Sequence, residues 1–122
     1  MTEVISAQQF RDLVAQSKRN KFNAKPVTID GIRFHSKGEG DRWQCLKLLE
    51  RAGQIKELRR QVRFHLAAID SDYIADFTYH DCKTGRRVVE DFKGVITREF
   101  RFKAKVFATQ YGFEITITGK RS

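Results

Sequence analysis

Two aspartates and a lysine, Asp76, Asp91 and Lys93, are the residues of this chain whose types and spacing could act together. They lie on two stretches rich in aromatic and β-branched residues, Tyr73 to His80 and Arg87 to Gly94, parted by the turn chemistry of Asp81-Cys82-Lys83-Thr84-Gly85. The two-residue period of a strand puts Val89, Asp91 and Lys93 on one face and Val88, Glu90 and Phe92 on the other. On the first strand Ile74, Asp76 and Thr78 share a face. A turn centred between Lys83 and Thr84 sets Asp76 opposite Asp91. A two-residue turn at Thr84-Gly85 sets it opposite Lys93 instead. Either register gathers all three side chains on one face and turns Glu90 away as a structural or surface residue.

Carboxylates opposed across a ladder repel each other. A divalent cation between them removes that cost. Mg²⁺ takes oxygen ligands and keeps several waters, so Asp76, Asp91 and a backbone carbonyl such as that of Phe92 form a sufficient set. The bland alternative is a pair of solvated charges on a polar sheet face.

Asp76 followed by Asp91-Phe92-Lys93 resembles the signature of the PD-(D/E)XK nuclease superfamily: an Asp, a hairpin, then Asp/Glu-x-Lys. Ala75 stands where that superfamily usually has Pro. The wider pattern resembles a family of small phage-encoded, Holliday-junction-resolvase-like endonucleases. It comprises Asn20-Lys21-Phe22-Asn23-Ala24, the run from Asp30-Gly31 to Ser36-Lys37, Arg60-Gln61-Val62-Arg63-Phe64, and Val89-Glu90-Asp91-Phe92-Lys93-Gly94. The resemblance extends over about residues 18 to 117. It implies a Mg²⁺-dependent endodeoxyribonuclease, with Mn²⁺ as substitute, held by Asp76, Asp91, the Phe92 carbonyl and Glu39. Lys93 is then the group that positions the attacking water or stabilises its hydroxide. Lys103 matches the Lys or Gln that a later helix of the superfamily presents to the site; a snorkelling lysine is the other reading. The implied substrate is branched DNA, and cutting two strands calls for a homodimer. The implied setting is a phage protein in the cytoplasm of a bacterial host. A basic DNA- or host-protein-binding factor with a vestigial nuclease fold is the rival reading.

Composition agrees with a nucleic-acid partner. The 122 residues carry a net charge of +9, which favours a polyanion. No apolar run approaches the ~18 residues of a membrane span. Cys45 and Cys82 have no metal or redox spacing and read as free thiols. His65 and His80 read as strand-surface residues.

The elements that must carry the site follow from periodicity. Residues 1–26 read as an N-terminal helix capped by Ser6, then a basic arm; residues 27–122 read as the nuclease-like domain. Lys18, Arg19, Lys21 and Lys25, with Lys37 beyond them, are the candidate DNA contacts; the arm reads equally as a solvated linker. Val27 to Phe34 reads as a hairpin turning at Asp30-Gly31. Ser36 begins a helix running to about Ala52, with Ser36-Lys37-Gly38-Glu39 as a capping box. Glu39 also shares a helix face with Trp43 and Leu46, so it faces the sheet. Ile55 to Leu58 is a short extended piece. Gln61 to Ile69 alternates as a strand, with Val62, Phe64, Leu66 and Ala68 inward. Thr97 caps a helix to about Tyr111, and Phe113 to Thr118 alternates as a last strand. The expected class is α/β: one domain with an αβββαβ restriction-endonuclease-like core, a mixed sheet flanked by helices.

Overall fold

The computed structural model describes residues 25–119. The expected N-terminal helix, most of the basic arm (Lys18, Arg19 and Lys21 included) and the basic tail from Lys120 lie outside these residues. Lys25 is exposed and in no regular element.

A two-stranded hairpin comes first, β1 (Val27–Ile29) and β2 (Ile32–Phe34). Its turn residues Asp30 and Gly31 both have positive φ, 53° and 77°, as a tight primed turn requires. Helix α1 follows (Lys37–Arg51), then β3 (Ile55–Leu66), a 3₁₀ turn (Ala67–Ile69), β4 (Ser71–Asp81), β5 (Arg86–Phe92), helix α2 (Arg98–Tyr111) and β6 (Thr116–Thr118). From α1 onward the order is helix, three strands, helix, strand, as periodicity suggested. The sheet is mixed, β3-β4-β5-β6, antiparallel except for the parallel pairing of β5 with β6. The protein is therefore of the α/β class; its described residues form two α-helices and a mixed four-stranded sheet beside the first hairpin.

Both helix starts are capped as read from sequence. Ser36 Oγ accepts the Glu39 N–H at 3.2 Å, and Thr97 Oγ1 accepts the Phe100 N–H at 3.1 Å. Each cap satisfies one of the orphan N–H groups of a first helical turn. Gly112, at φ 83°, ends α2.

The sheet separates two apolar clusters. Phe34, Leu46, Ile55, Phe77 and Tyr79, with Trp43, Val88 and Phe92 against them, pack under α1. Phe64, Leu66, Tyr73, Ala75, Val89, Phe100, Phe107 and Ile115 pack under α2. Neighbours Val88 and Val89 fall in different clusters because successive side chains of β5 point to opposite faces.

Three expectations need correction. The two extended pieces at 55–58 and 61–69 are one strand that ends at Leu66. Its register against β4 shifts between Lys56 and Arg59, where Glu57 has φ 57°; such a bulge is invisible to a strict period of two. Ala68 is exposed in the 3₁₀ turn rather than inward on a strand. The last strand is only Thr116–Thr118, with Ile115 buried just before it.

The alternation of β4 also slips. Tyr73 and Ala75 pack on the α2 side, whereas Phe77 and Tyr79 pack on the α1 side, so the face switches at Asp76. Its neighbour across the ladder switches with it: β3 carries Gln61 at φ 52° between the pairs Arg60↔Phe77 and Val62↔Ala75. Ile74, Asp76 and Thr78 therefore do not share one flat face; Ile74 is exposed and Thr78 buried.

Candidate functional site

The register of the hairpin resolves the choice left open by the sequence. Paired residues run from Asp81↔Arg86 to Phe77↔Glu90, which centres the turn between Lys83 and Thr84. The turn itself is held by Gly85 N–H to the Asp81 carbonyl at 2.8 Å and by Lys83 N–H to Asp81 Oδ1 at 2.9 Å. Extended by one step, this register sets Asp76 against Asp91. The ladder stops there. β5 continues beside β6, pairing Asp91 with Ile117 and Phe92 with Thr118, while the first half of β4 stays with β3. The two strands fork at the aspartates.

The carboxylate of Asp76 occupies the fork. Its Oδ2 accepts the Phe92 N–H at 2.9 Å, replacing the ladder bond that the parting strands no longer supply. Asp91, 2% exposed, accepts the Tyr73 hydroxyl on Oδ2 at 2.9 Å, and Lys93 Nζ lies 3.6 Å from the same oxygen. Lys93 also rests over the Phe100 ring, 4.7 Å from its centroid, which fixes its stem against α2. The carboxyls of Asp76 and Asp91 are within hydrogen-bond reach of each other. Burial first, then this contact with Asp76, holds the Asp91 carboxyl well above the usual carboxylate range, against the pull of Lys93.

Glu39 arrives from α1. It is 4% exposed. Its backbone N–H completes the Ser36 cap, but its side chain does not close the expected capping box. The carboxylate instead lies 3.8 Å from His35 Nδ1 through Oε2 and accepts the Gln61 amide, Nε2 to Oε1 at 3.5 Å. Burial, then the nearby charge of Asp76, pushes its pKa up from 4.5 to about 7, while Arg60 and Lys93 act to lower it. The helix, the fork and the end of β5 thus bring Glu39, Asp76, Asp91 and Lys93 together, as sequence spacing anticipated.

Phe92 locks this arrangement. Its ring sits against Gly38 and Gly119, where an added Cβ would lie 2.4 Å and 2.3 Å from ring atoms. A side chain at either position would force the Phe92 ring to move.

Glu90 faces the other way, as expected, and is fully buried, the structural of its two alternatives. Arg42 grips it as a fork, Nε to Oε2 at 2.7 Å and Nη2 to Oε1 at 2.8 Å. The Tyr79 hydroxyl donates to it at 2.8 Å and the Thr118 hydroxyl at 3.2 Å. Sequence reasoning missed Arg42, Tyr73 and Gln61. An acid in a strand apolar on both faces is the signal that could have called for a cationic partner such as Arg42.

Lys103 reaches the Asp72 carbonyl at 3.1 Å and Glu99 at 3.4 Å, contacts that tie α2 to the start of β4. Lys37 is exposed in the first turn of α1. His65 lies between Asp70 and Asp72 on the surface. His80 lines a hollow of about 250 Å³ with Arg59, Arg87, Thr78, Tyr79 and Glu57, opened where β3 bulges. Cys45 and Cys82 are free and exposed.

Among the described residues, no three His, Cys, Asp or Glu side chains form a preformed metal cage. The donor chemistry nevertheless fits a hard cation. Three carboxylates crowd one buried corner, two of them with raised pKa, against Lys93 and Arg60. Mg²⁺ needs one or two protein carboxylates and completes its shell with water and substrate phosphate.

If Glu39 serves this corner, Glu39→Gln separates its two roles. The Ser36 cap uses a backbone N–H and survives the change. Melting in chelator should stay level or rise, because a buried charge is removed. Mn²⁺ affinity by calorimetry should fall at least tenfold; unchanged affinity would reduce Glu39 to a helix-start residue.

Among the described residues no helix is long and apolar enough to cross a membrane. No curated protein and no solved structure matches the chain. One family does, over residues 19–119, which span every element of the fold and every residue of the fork: the chain belongs to the family described as "Protein of unknown function (DUF1064)".

Proposed function

We propose that the protein is a divalent-cation-dependent phosphodiesterase that cuts DNA, selects branched structures such as junctions, and works as a homodimer inside a phage-infected bacterial cell. One observation carries this reading: the convergence of Glu39, Asp76, Asp91 and Lys93 where β4 and β5 part. The likeness of Asp76…Asp91-Phe92-Lys93 to the PD-(D/E)XK signature, and the αβββαβ order, support it.

Asp76 and Asp91 would hold the cation, with the Phe92 carbonyl and Glu39 completing the protein's share. Bound there, Mg²⁺ or Mn²⁺ supplies Lewis acidity that activates water and screens charge developing at phosphorus. The chain's own residues do the rest. The Phe92 N–H orients the Asp76 carboxylate, and the Tyr73 hydroxyl orients that of Asp91. Lys93, steadied by Asp91 and the Phe100 ring, presents its ammonium to the attacking water and the phosphoryl oxygens. Its role is electrostatic stabilisation in a partly desolvated corner.

The test is one comparison of branched, flapped, linear and single-stranded DNA, each with Mg²⁺ and with chelator. Cleavage of the branched substrate in Mg²⁺ alone is expected. Tight binding without cutting under any cation would favour a non-catalytic binding factor.

Phosphate contacts should dominate affinity, given the net charge of +9. Arg59 and Arg87 join Lys25 and Lys37 as candidate contacts, since neither forms an ion pair among the described residues and both line the hollow beside the β3 bulge. Log affinity should fall linearly with log salt at about −0.9 per phosphate neutralised. Arg59→Ala and Arg87→Ala should each reduce that slope by about one, read in a mobility-shift titration. A slope unchanged in both would remove the hollow from the interface.

A further inference from the structure

The ion pair of the half-buried Arg42 and the fully buried Glu90 has no part in the chemistry above, yet it occupies a telling place. Arg42 is one helical turn after Glu39 on α1. Glu90 immediately precedes Asp91 on β5. The fork between them, at 2.7 and 2.8 Å, is the polar bond joining the helix that carries one carboxylate to the strand that carries another. Tyr79 from β4 and Thr118 from β6 donate to the same carboxylate. Glu90, with no exposed surface, thus has partners on all three neighbouring elements. Hydrogen bonding by Glu90, the largest influence on Arg42, keeps that guanidinium firmly protonated.

Stability alone is a poor reason for such a network. Desolvating the Glu90 carboxylate fully and Arg42 in part offsets much of their attraction, and well-packed apolar replacements are often neutral or stabilising. What apolar side chains cannot supply is direction. A planar guanidinium clasping a carboxylate through two parallel bonds fixes both distance and rotation. An apolar contact lets α1 slide or roll on the sheet, and Glu39 would move with it relative to Asp76 and Asp91.

We propose that Arg42 and Glu90 are positioning residues that set Glu39 against the aspartate fork and thereby set the affinity of the corner for a divalent cation. The inference rests on the cation-binding reading of the site, and the experiment separates the two. Mn²⁺ alone is titrated calorimetrically into wild-type protein, into Arg42→Lys, and into an apolar variant combining Arg42→Met, Glu90→Met, Tyr79→Phe and Thr118→Val. Melting temperature is recorded in chelator for each. Phe107→Leu, in the opposite cluster, serves as the control that loses stability without touching the network.

Arg42→Lys keeps the charge and loses the fork. It should bind Mn²⁺ roughly 10- to 100-fold more weakly, the range found when groups that orient metal ligands are removed. The apolar variant should do the same while melting at or above the wild-type temperature. Phe107→Leu should melt lower and bind Mn²⁺ as wild type does. Wild-type Mn²⁺ affinity in Arg42→Lys, or in a folded apolar variant, would overturn the proposal and leave the cation site standing. Absence of Mn²⁺ uptake by the wild-type protein would overturn the cation site itself, and this inference with it.

Discussion

Asp91→Asn and Lys93→Ala should each slow hydrolysis of a branched DNA by about 10²–10³-fold at saturating Mg²⁺, with affinity for the same DNA in chelator unchanged. The two substitutions fail for different reasons. On the proposed mechanism, Asp91→Asn removes a hard anionic ligand beside Asp76. Lys93→Ala leaves both aspartates in place and, on the same proposal, removes the cation that faces the developing negative charge. They should therefore diverge in stability. In chelator at pH 8, Asp91→Asn relieves a buried carboxylate that is 2% exposed and crowded by Asp76, so its melting temperature should rise. Lys93→Ala deletes the charge that offsets that carboxylate, so its melting temperature should fall. Single-turnover cleavage and a melting curve on each variant check the pair; wild-type turnover in both would remove these residues from the chemistry.

The metal-free protein should lose stability as pH rises, and a divalent cation should restore it. The sign follows from the raised carboxyls. Glu39, shifted from 4.5 to about 7, and Asp91, shifted upward by burial and by Asp76, hold protons in the folded state that the unfolded chain has already released. Their contribution to stability is complete below the unfolded pKa near 4 and is lost as pH climbs through the folded values. Mg²⁺ or Mn²⁺ competes for the same oxygens, so its affinity grows over that window. Between pH 5 and pH 8 in chelator the melting temperature should drop by on the order of 10 °C, since each kcal/mol shifts it by about 4–8 °C in a domain of this size. Added cation should recover most of the drop at pH 8 and little at pH 5. A cation effect equal at both pH values would disconnect binding from these carboxyls.

Local signals in the sequence were strong where one principle acted alone. Ser36 and Thr97 announced their helices because a hydroxyl before an apolar stripe has one evident use. Asp30-Gly31 announced its turn because both positions tolerate positive φ. Asp76, Asp91, Lys93 and Glu39 were legible because strand and helix periods, with the signature's spacing, pointed to the same corner. Gln61 and Glu57 were not. Neither residue type announces a positive φ within a strand; the bulge and the face switch arise from the twist and parting of neighbouring strands, which no period encodes. Arg42 was hidden for another reason: its partner lies on a different element, and pairing across elements needs the fold first. Tyr73 read as one more aromatic of a strand until its hydroxyl was seen to meet Asp91.

The parallel pairing of β5 with β6 has a consequence for the order in which the molecule assembles. The β3-β4-β5 meander closes through short connections, and its contacts are local in sequence. β6 joins only after the intervening helix has crossed over, and such non-local pairings form late. Thr118 then supplies its hydroxyl to Glu90 and its carbonyl to the Lys93 N–H at 2.8 Å. During refolding the strands that bear the aspartates should therefore acquire secondary structure in an early phase. The cation uptake proposed above should lag behind, appearing only with the slow step that docks the final strand.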